Sequence, residues 1–136
     1  MEVEIELLST PFHGIIDNMA KILLVEDNEM NRDMLSRRLI RKGFEVEMAI
    51  DGEEGYNKSK LPDYQLILMD MSLPKMNGWE ITQKLRAEGI KTPIIALTAH
   101  ALETDKKRCM DAGCDEFETK PIDFPKLLEK MNSFIK

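Results

Sequence analysis

The 136-residue sequence predicts an α/β fold in which helices cover both faces of one parallel sheet. Two observations carry that prediction. Short apolar runs alternate five times with stretches of helical periodicity. The central runs are almost uninterruptedly apolar, as strands covered on both sides must be. No Gly/Ser-rich or Pro-rich linker and no internal repeat interrupts Ala20 to Lys136.

The first predicted strand is Ile22–Val25, and the helix after Asn28 carries Met34, Leu35 and Leu39 on one side. A basic last turn and a glycine, Lys42-Gly43, stop that helix. The second strand is Phe44 to Ala49, followed by a short helix from Glu53 to about Ser59, where the pattern is thin. The third strand, Leu66 to Met69, leads to a helix starting near Asn77, with Ile81 and Leu85 at i, i+4 before Gly89. Pro93 to Leu97 is the fourth strand, and its helix runs from about Glu103 to Ala112, ending at Gly113. A weak fifth strand surrounds Phe117. The last helix comes after Asp123-Phe124-Pro125 and shows Leu127, Leu128, Met131, Phe134 and Ile135 at helical spacing.

A chain of 15.7 kDa fits one domain with its own core. A net charge of -6 argues against nucleic acid as a partner, because a phosphate-backbone binder needs a basic stripe, and equally against an anionic membrane surface. No apolar run approaches the roughly 20 residues that span a bilayer. The N-terminus, MEVEIELL, is acidic where a secretory signal is basic, so a cytoplasmic location is expected. Cys109 and Cys114, with two His in the whole chain, make no zinc ligand set and are expected to be small buried thiols. The ten Met are expected to fill the core. Trp79 is expected to be a partly exposed helix residue.

Residues 1–19 are expected to form an N-terminal extension and residues 20–136 the domain. Glu2 to Leu7 alternates like an edge strand, and Pro11 breaks any regular element after it. Two readings stay open: an upstream tail, or a strand added to a sheet edge that would favour dimers.

In open sheets of this kind ligands bind at the carboxyl ends of the strands. There the first strand meets Glu26-Asp27, the third meets Asp70, the fourth meets Thr98-Ala99 and the fifth runs into Lys120-Pro121. Each motif has a plainer explanation: Glu26-Asp27 as helix-start acids, Asp70 as a solvated strand end, Thr98 as a loop hydroxyl. Their coincidence at four strand ends favours chemistry. Three carboxylates at close quarters repel, and a hard divalent cation such as Mg²⁺ removes that cost. A metal, a hydroxyl and an ammonium are the parts that phosphoryl transfer needs. Asp70 suits the nucleophile of an aspartyl-phosphate, since a carboxyl with an ordinary pKa of about 3.9 is already ionised at neutral pH.

Four segments in order, ILLVEDNEMNR, LILMDMSLPKMNG, PIIALTAHA and DEFETKPI, resemble the acidic-pair, phosphoacceptor, switch-threonine and Lys-Pro motifs of the response-regulator receiver domain of two-component signalling. The likeness covers about Ala20 to Lys136 and is of the chemotaxis-regulator-like, single-domain kind. It implies a doubly wound, flavodoxin-like five-stranded sheet of order 2-1-3-4-5. It implies Asp70 as phosphoacceptor, and Mg²⁺ held by Glu26, Asp27, Asp70 and the backbone carbonyl of Ser72. Thr98 and Lys120 would contact the phosphoryl group, Thr98 and Phe117 would be the switch residues, and the Lys120–Pro121 peptide would be cis. His100 is weighed as a residue over the phosphoryl group against a solvated helix-start His, the latter being favoured.

The resulting expectation is a single-domain response regulator without an output domain. A sensor histidine kinase or a histidine phosphotransfer protein donates to it, and it autodephosphorylates. It signals to a downstream protein through the face of helix 4, strand 5 and helix 5, as a monomer or phosphorylation-dependent dimer. It is a switch that catalyses only its own phosphotransfer and dephosphorylation. Three alternatives remain: a receiver from a hybrid histidine kinase, which ALTAHA resembles, a Mg²⁺-dependent phosphohydrolase, and a phosphorylation-independent interaction module. Ser72 stands where such a phosphohydrolase carries its second Asp.

Overall fold

Apolar strands and capped helices assemble along the chain in the computed structural model, which describes residues 20–99 and 102–135. The expectations for residues 1–19 and for His100 lie outside these residues. Among them, strands β1 (Lys21–Val25), β2 (Glu45–Ala49), β3 (Leu66–Asp70), β4 (Ile94–Thr98) and β5 (Glu116–Thr119) alternate with helices α1 (Glu29–Arg41), α2 (Gly52–Ser59), α3 (Gly78–Ala87), α4 (Glu103–Ala112) and α5 (Phe124–Asn132). All neighbouring strands pair in parallel, in the order β2-β1-β3-β4-β5.

The period-2 geometry of a strand sends alternate side chains to opposite faces. Leu23, Val25, Ile67, Met69, Ile94 and Ala96 form one core with Ile81 and Leu85 of α3 and Cys109 of α4. Ile22, Leu24, Leu66, Leu68, Ile95 and Leu97 form the other with Leu35 and Leu39 of α1 and Leu127 and Met131 of α5. Every residue of β3 and β4 is buried, which puts the two strands at the centre of the molecule. Each buried Leu or Ile contributes about 2 kcal/mol by leaving water.

Side chains supply the helix starts. Asn28, Asp51, Asn77 and Asp123 accept hydrogen bonds from the backbone N–H of Asn31, Glu54, Glu80 and Lys126. At the end of α4, Gly113 takes φ +111°, which lets the N–H of Cys114 bond the Cys109 carbonyl at 3.1 Å. Cys109 and Cys114 are buried and free, as expected.

Several boundaries differ from the sequence prediction. Asp70 and Thr98 lie inside strands, because Leu97 and Thr119 stand opposite them in register and extend the ladder. Pro93 falls just before β4; it lacks an N–H, although its carbonyl accepts from Ile67 at 2.9 Å. Helix α5 ends at Asn132, so Phe134 and Ile135 are not helical. The Phe134 N–H bonds Met131 at 3.0 Å in a closing turn that still packs both residues on the core. The methionines also divide: Met69, Met71 and Met131 are buried, whereas Met30, Met34, Met48 and Met110 are exposed. Met34 precedes the buried Leu35, and one residue along a helix turns the side chain about 100° away from the sheet. Trp79 is partly buried, with the Arg108 guanidinium 3.6 Å from its ring centre.

Candidate functional site

Strand β1 stops at Val25, so Glu26 and Asp27 occupy the rim between it and α1. The Glu26 N–H still bonds the Ala49 carbonyl at 3.1 Å, and one Glu26 carboxylate oxygen accepts from the Asn28 N–H at 3.1 Å. Arg32, from the first turn of α1, reaches back to the carbonyls of Glu26 and Asp27 at 2.8 and 3.2 Å. Sequence reasoning missed Arg32, because a basic residue near a helix start carries no signal of a partner six residues earlier.

Beside the acidic pair stands Asp70, at the end of β3. One oxygen from each of Glu26, Asp27 and Asp70 lies within 4.8 Å of the others. Glu26 and Asp70 are almost fully buried, at 2% and 4% exposure, and Asp27 is exposed. Lys120 arrives from the end of β5 and bridges the two buried carboxylates, with Nζ 2.9 Å from Glu26 and 3.2 Å from Asp70. Burial raises the Glu26 pKa above the ordinary carboxylate value; the Lys120 hydrogen bond pulls against that, while the Asp70 charge adds to it. Burial also works against the Lys120 ammonium, but the Glu26 hydrogen bond and the Asp70 charge outweigh it and raise its pKa.

The loop after β3 is held from several sides. The Ser72 N–H donates to Asp70 Oδ1 at 3.1 Å, and the Gly78 N–H donates to the Met71 carbonyl at 3.1 Å. Lys75, at φ +70°, pairs with Asp51 at 3.3 Å and Glu53 at 3.6 Å. Gly52 packs so closely that a Cβ there would lie 1.7 Å from the Met76 carbonyl oxygen. Thr98 is buried at the end of β4, and its carbonyl accepts from the Lys120 N–H at 2.7 Å. The Lys120–Pro121 peptide is cis. Phe117 lies opposite Ala96 on β5, half-buried against the α3–α4 side and apart from the carboxylates. The structure therefore joins Glu26, Asp27, Asp70 and Lys120 by direct approach, sets Thr98 and Ser72 on adjoining backbone, and leaves Phe117 farther along β5.

Next to this cluster a cavity of about 600 Å³ opens between α1 and the β5–α5 connection. Met34, Leu35, Arg38, Pro121 and Ile122 line it, and Glu26 and Lys120 stand at the acidic end.

Three carboxylates facing one ammonium leave excess negative charge in a mostly buried place. An all-oxygen donor set with that charge fits Mg²⁺, which takes one or two carboxylates and completes its shell with water and phosphate oxygens. Among the described residues no helix is long and apolar enough to cross a membrane.

A family profile described as the response regulator receiver domain matches residues 22–132. The osmosensing histidine protein kinase SLN1 of Saccharomyces cerevisiae is 38% identical over 125 residues, covering 87% of this chain and 10% of the kinase. The receiver domain of sensor histidine kinase PA1611 from Pseudomonas aeruginosa PAO1, solved with magnesium coordinated in its active-site cleft, superposes with a TM-score of 0.79 at 35% identity, over 86% of this chain and 98% of that one. The receiver domain of Ssk1 of S. cerevisiae, co-crystallised with the histidine phosphotransfer protein Ypd1, gives a TM-score of 0.81 at 29% identity, over 86% and 89%. Hybrid kinases and transcriptional regulatory proteins both occur among the relatives; the chain spans a tenth or less of the kinases compared and about half of the regulators. Its sheet order, its acidic rim and this agreement over most of its length lead to one assignment: the chain belongs to the response regulator receiver domain family.

Proposed function

We propose that Asp70 accepts a phosphoryl group from a phosphohistidine on a sensor histidine kinase or histidine phosphotransfer protein, and that the resulting acyl phosphate switches the surface of α4, β5 and α5. The observation that carries this reading is the Lys120 ammonium bridging Asp70 and Glu26 beside Asp27. Glu26, Asp27, Asp70 and the Ser72 carbonyl would hold Mg²⁺, which when bound supplies positive charge for the phosphoryl oxygens. An Asp70 carboxylate oxygen attacks phosphorus, the P–N bond breaks, and the imidazole leaves with its electron pair and takes a proton from solvent. Lys120 pairs with the transferred group as a point charge and the Thr98 hydroxyl donates to it. Thr98 moves toward the phosphoryl oxygens and Phe117 turns inward, a shift between two populations rather than a new fold. Water then hydrolyses the acyl phosphate, so the protein is a self-resetting switch whose only catalysis acts on itself.

The cavity beside α1 suits the donor, because Glu26 and Lys120 belong both to it and to the acidic cluster. The domain comprises residues 20–136 and residues 1–19 are an extension. It works in the cytoplasm, as a monomer or as a dimer formed on phosphorylation. The hybrid-kinase relatives favour a second setting for the same chemistry, as the receiver segment of a longer kinase.

Incubation with acetyl phosphate and Mg²⁺ tests the assignment by mass spectrometry. One hydroxylamine-labile phosphate is expected on the wild type and on Ser72→Ala, and none on Asp70→Asn. Labelling that persists in Asp70→Asn would overturn it.

A further inference from the structure

Phe117 sits on β5, an edge strand, and two helices reach its ring. Lys106 of α4 places its ammonium 5.3 Å from the ring centre, and Lys130 of α5 places its own at 5.2 Å. Both distances fall within the roughly 6 Å over which a cation is attracted to an aromatic face. Lys130 is tied in place. It donates to the Phe117 carbonyl at 2.6 Å and to Glu118 at 3.1 Å, and it approaches Glu116 at 3.9 Å. Glu118 is buried and its second carboxylate oxygen has no hydrogen-bond partner among the described residues, so Lys130 compensates a costly charge. Lys106 is exposed and, among the described residues, makes no side-chain hydrogen bond or ion pair. Its contact with the ring is its distinguishing feature.

We infer that Lys106 and Lys130 act as positioning residues that latch the Phe117 ring in its half-buried place on the α3–α4 side, and so set how readily the receiver switches. The inference rests on the proposed inward turn of Phe117. That turn carries the ring away from both ammonium groups, so their attraction opposes it. Phosphorylation has to overcome this opposition, and neutralising either lysine lowers it. The expected size is about two- to five-fold per lysine in the switching equilibrium, the scale of a partly exposed cation–π contact.

Lys106→Met is the informative variant, because Lys130→Met also strips Glu118 of its partner and lowers stability. Two readouts are needed: the side-chain rotamer populations of Phe117 by NMR in the unphosphorylated protein, and the dissociation constant for beryllofluoride in Mg²⁺. Lys106→Met is expected to increase the inward ring population and tighten beryllofluoride binding two- to five-fold. Lys106→Arg is expected to restore both, and in a Phe117→Leu background Lys106→Met is expected to leave beryllofluoride binding unchanged. An unchanged ring population in Lys106→Met overturns the latch, as does the same gain in affinity with Phe117→Leu. A wild type that ignores beryllofluoride while Lys106→Met still moves the ring keeps the latch and rejects the phosphoacceptor reading instead.

Discussion

At the amino-end rim of the sheet, Arg86 of α3 donates to the carbonyls of Gly113 and Ile90 and to the Asp115 carboxylate, all within 2.9 Å. That carboxylate also accepts the Ile94 N–H at 2.8 Å. Toward the opposite, β2 edge of the sheet, Glu47 receives the hydroxyl of Tyr64, which lies just before β3, at 2.7 Å and the ammonium of Lys21, at the start of β1, at 3.2 Å. At the carboxyl-end rim, three carboxylates cluster together and the one lysine among them pairs with two, Glu26 and Asp70. The same strands thus end in matched charge on one side and surplus negative charge on the other. Matched charge needs nothing from solution, whereas surplus charge is a standing demand for a cation. The contrast teaches that rim position alone does not mark a site; imbalance does.

The largest expected effect comes from deepening the imbalance. Lys120→Met leaves two buried carboxylates without their cation, and at neutral pH without metal it is expected to lower unfolding stability by about 3 kcal/mol. Arg86→Met at the opposite rim is expected to cost about 2 kcal/mol through lost hydrogen bonds. Mg²⁺ separates the two in urea unfolding: it should recover part of the Lys120→Met deficit and none of the Arg86→Met deficit. Equal recovery in both would break the comparison.

A smaller effect comes from pH, with opposite signs at the two rims. Glu26 has its pKa raised, chiefly by burial, so its contribution to metal-free stability is full below 4.5 and is lost as pH rises through the folded-state value. Glu47 has its pKa lowered, first by the Tyr64 hydrogen bond, so its contribution is present above 4.5 and is lost as pH falls through the folded-state value. Removing the titrating group should therefore change the stability–pH curve in opposite directions in Glu26→Gln and Glu47→Gln. Under the proposed metal binding, Mg²⁺ would need the ionised Glu26, so stabilisation by the metal should grow over the window in which Glu26 loses its proton. With Mg²⁺ at ten times its dissociation constant it reaches about 1.4 kcal/mol. Thermal melts across pH, with and without Mg²⁺, measure both terms; parallel curves for the two variants would contradict the sign difference.

Much of this was readable in the sequence, for identifiable reasons. Continuous apolar runs such as Leu66–Met69 leave little choice but a central strand, and the capping residues Asn28, Asn77 and Asp123 fix where helices begin. The order of the strands came from the resemblance, because periodicity says nothing about which strand neighbours which. Glu26, Asp27, Asp70 and Lys120 were expected at one crevice, and their close approach is a product of that order. What stayed hidden depends on contacts between distant segments. Arg32 bonds carbonyls, and carbonyls have no sequence. Gly52 is needed because the Met76 backbone passes beside it. Helical spacing overstates the length of α5, since Phe134 and Ile135 keep that spacing while packing on the core from a turn.

The smallest expected effect lies wholly on the balanced rim. Tyr64 is buried, and burial first, then the Glu47 carboxylate, push its hydroxyl pKa well above the ordinary value, so it is a neutral donor near neutral pH. Tyr64→Phe keeps the ring and removes one hydrogen bond to a charged acceptor. The loss should be about 1 kcal/mol, because Glu47 is partly exposed, keeps Lys21 and can take water in place of the hydroxyl. Calorimetric titration with Mg²⁺ should find the metal affinity of Tyr64→Phe unchanged, since the variant alters no charge at the other rim. A weakened affinity would mean that the two rims are coupled through β1 and β3, and the site would then depend on the whole sheet rather than on its own surplus of carboxylates.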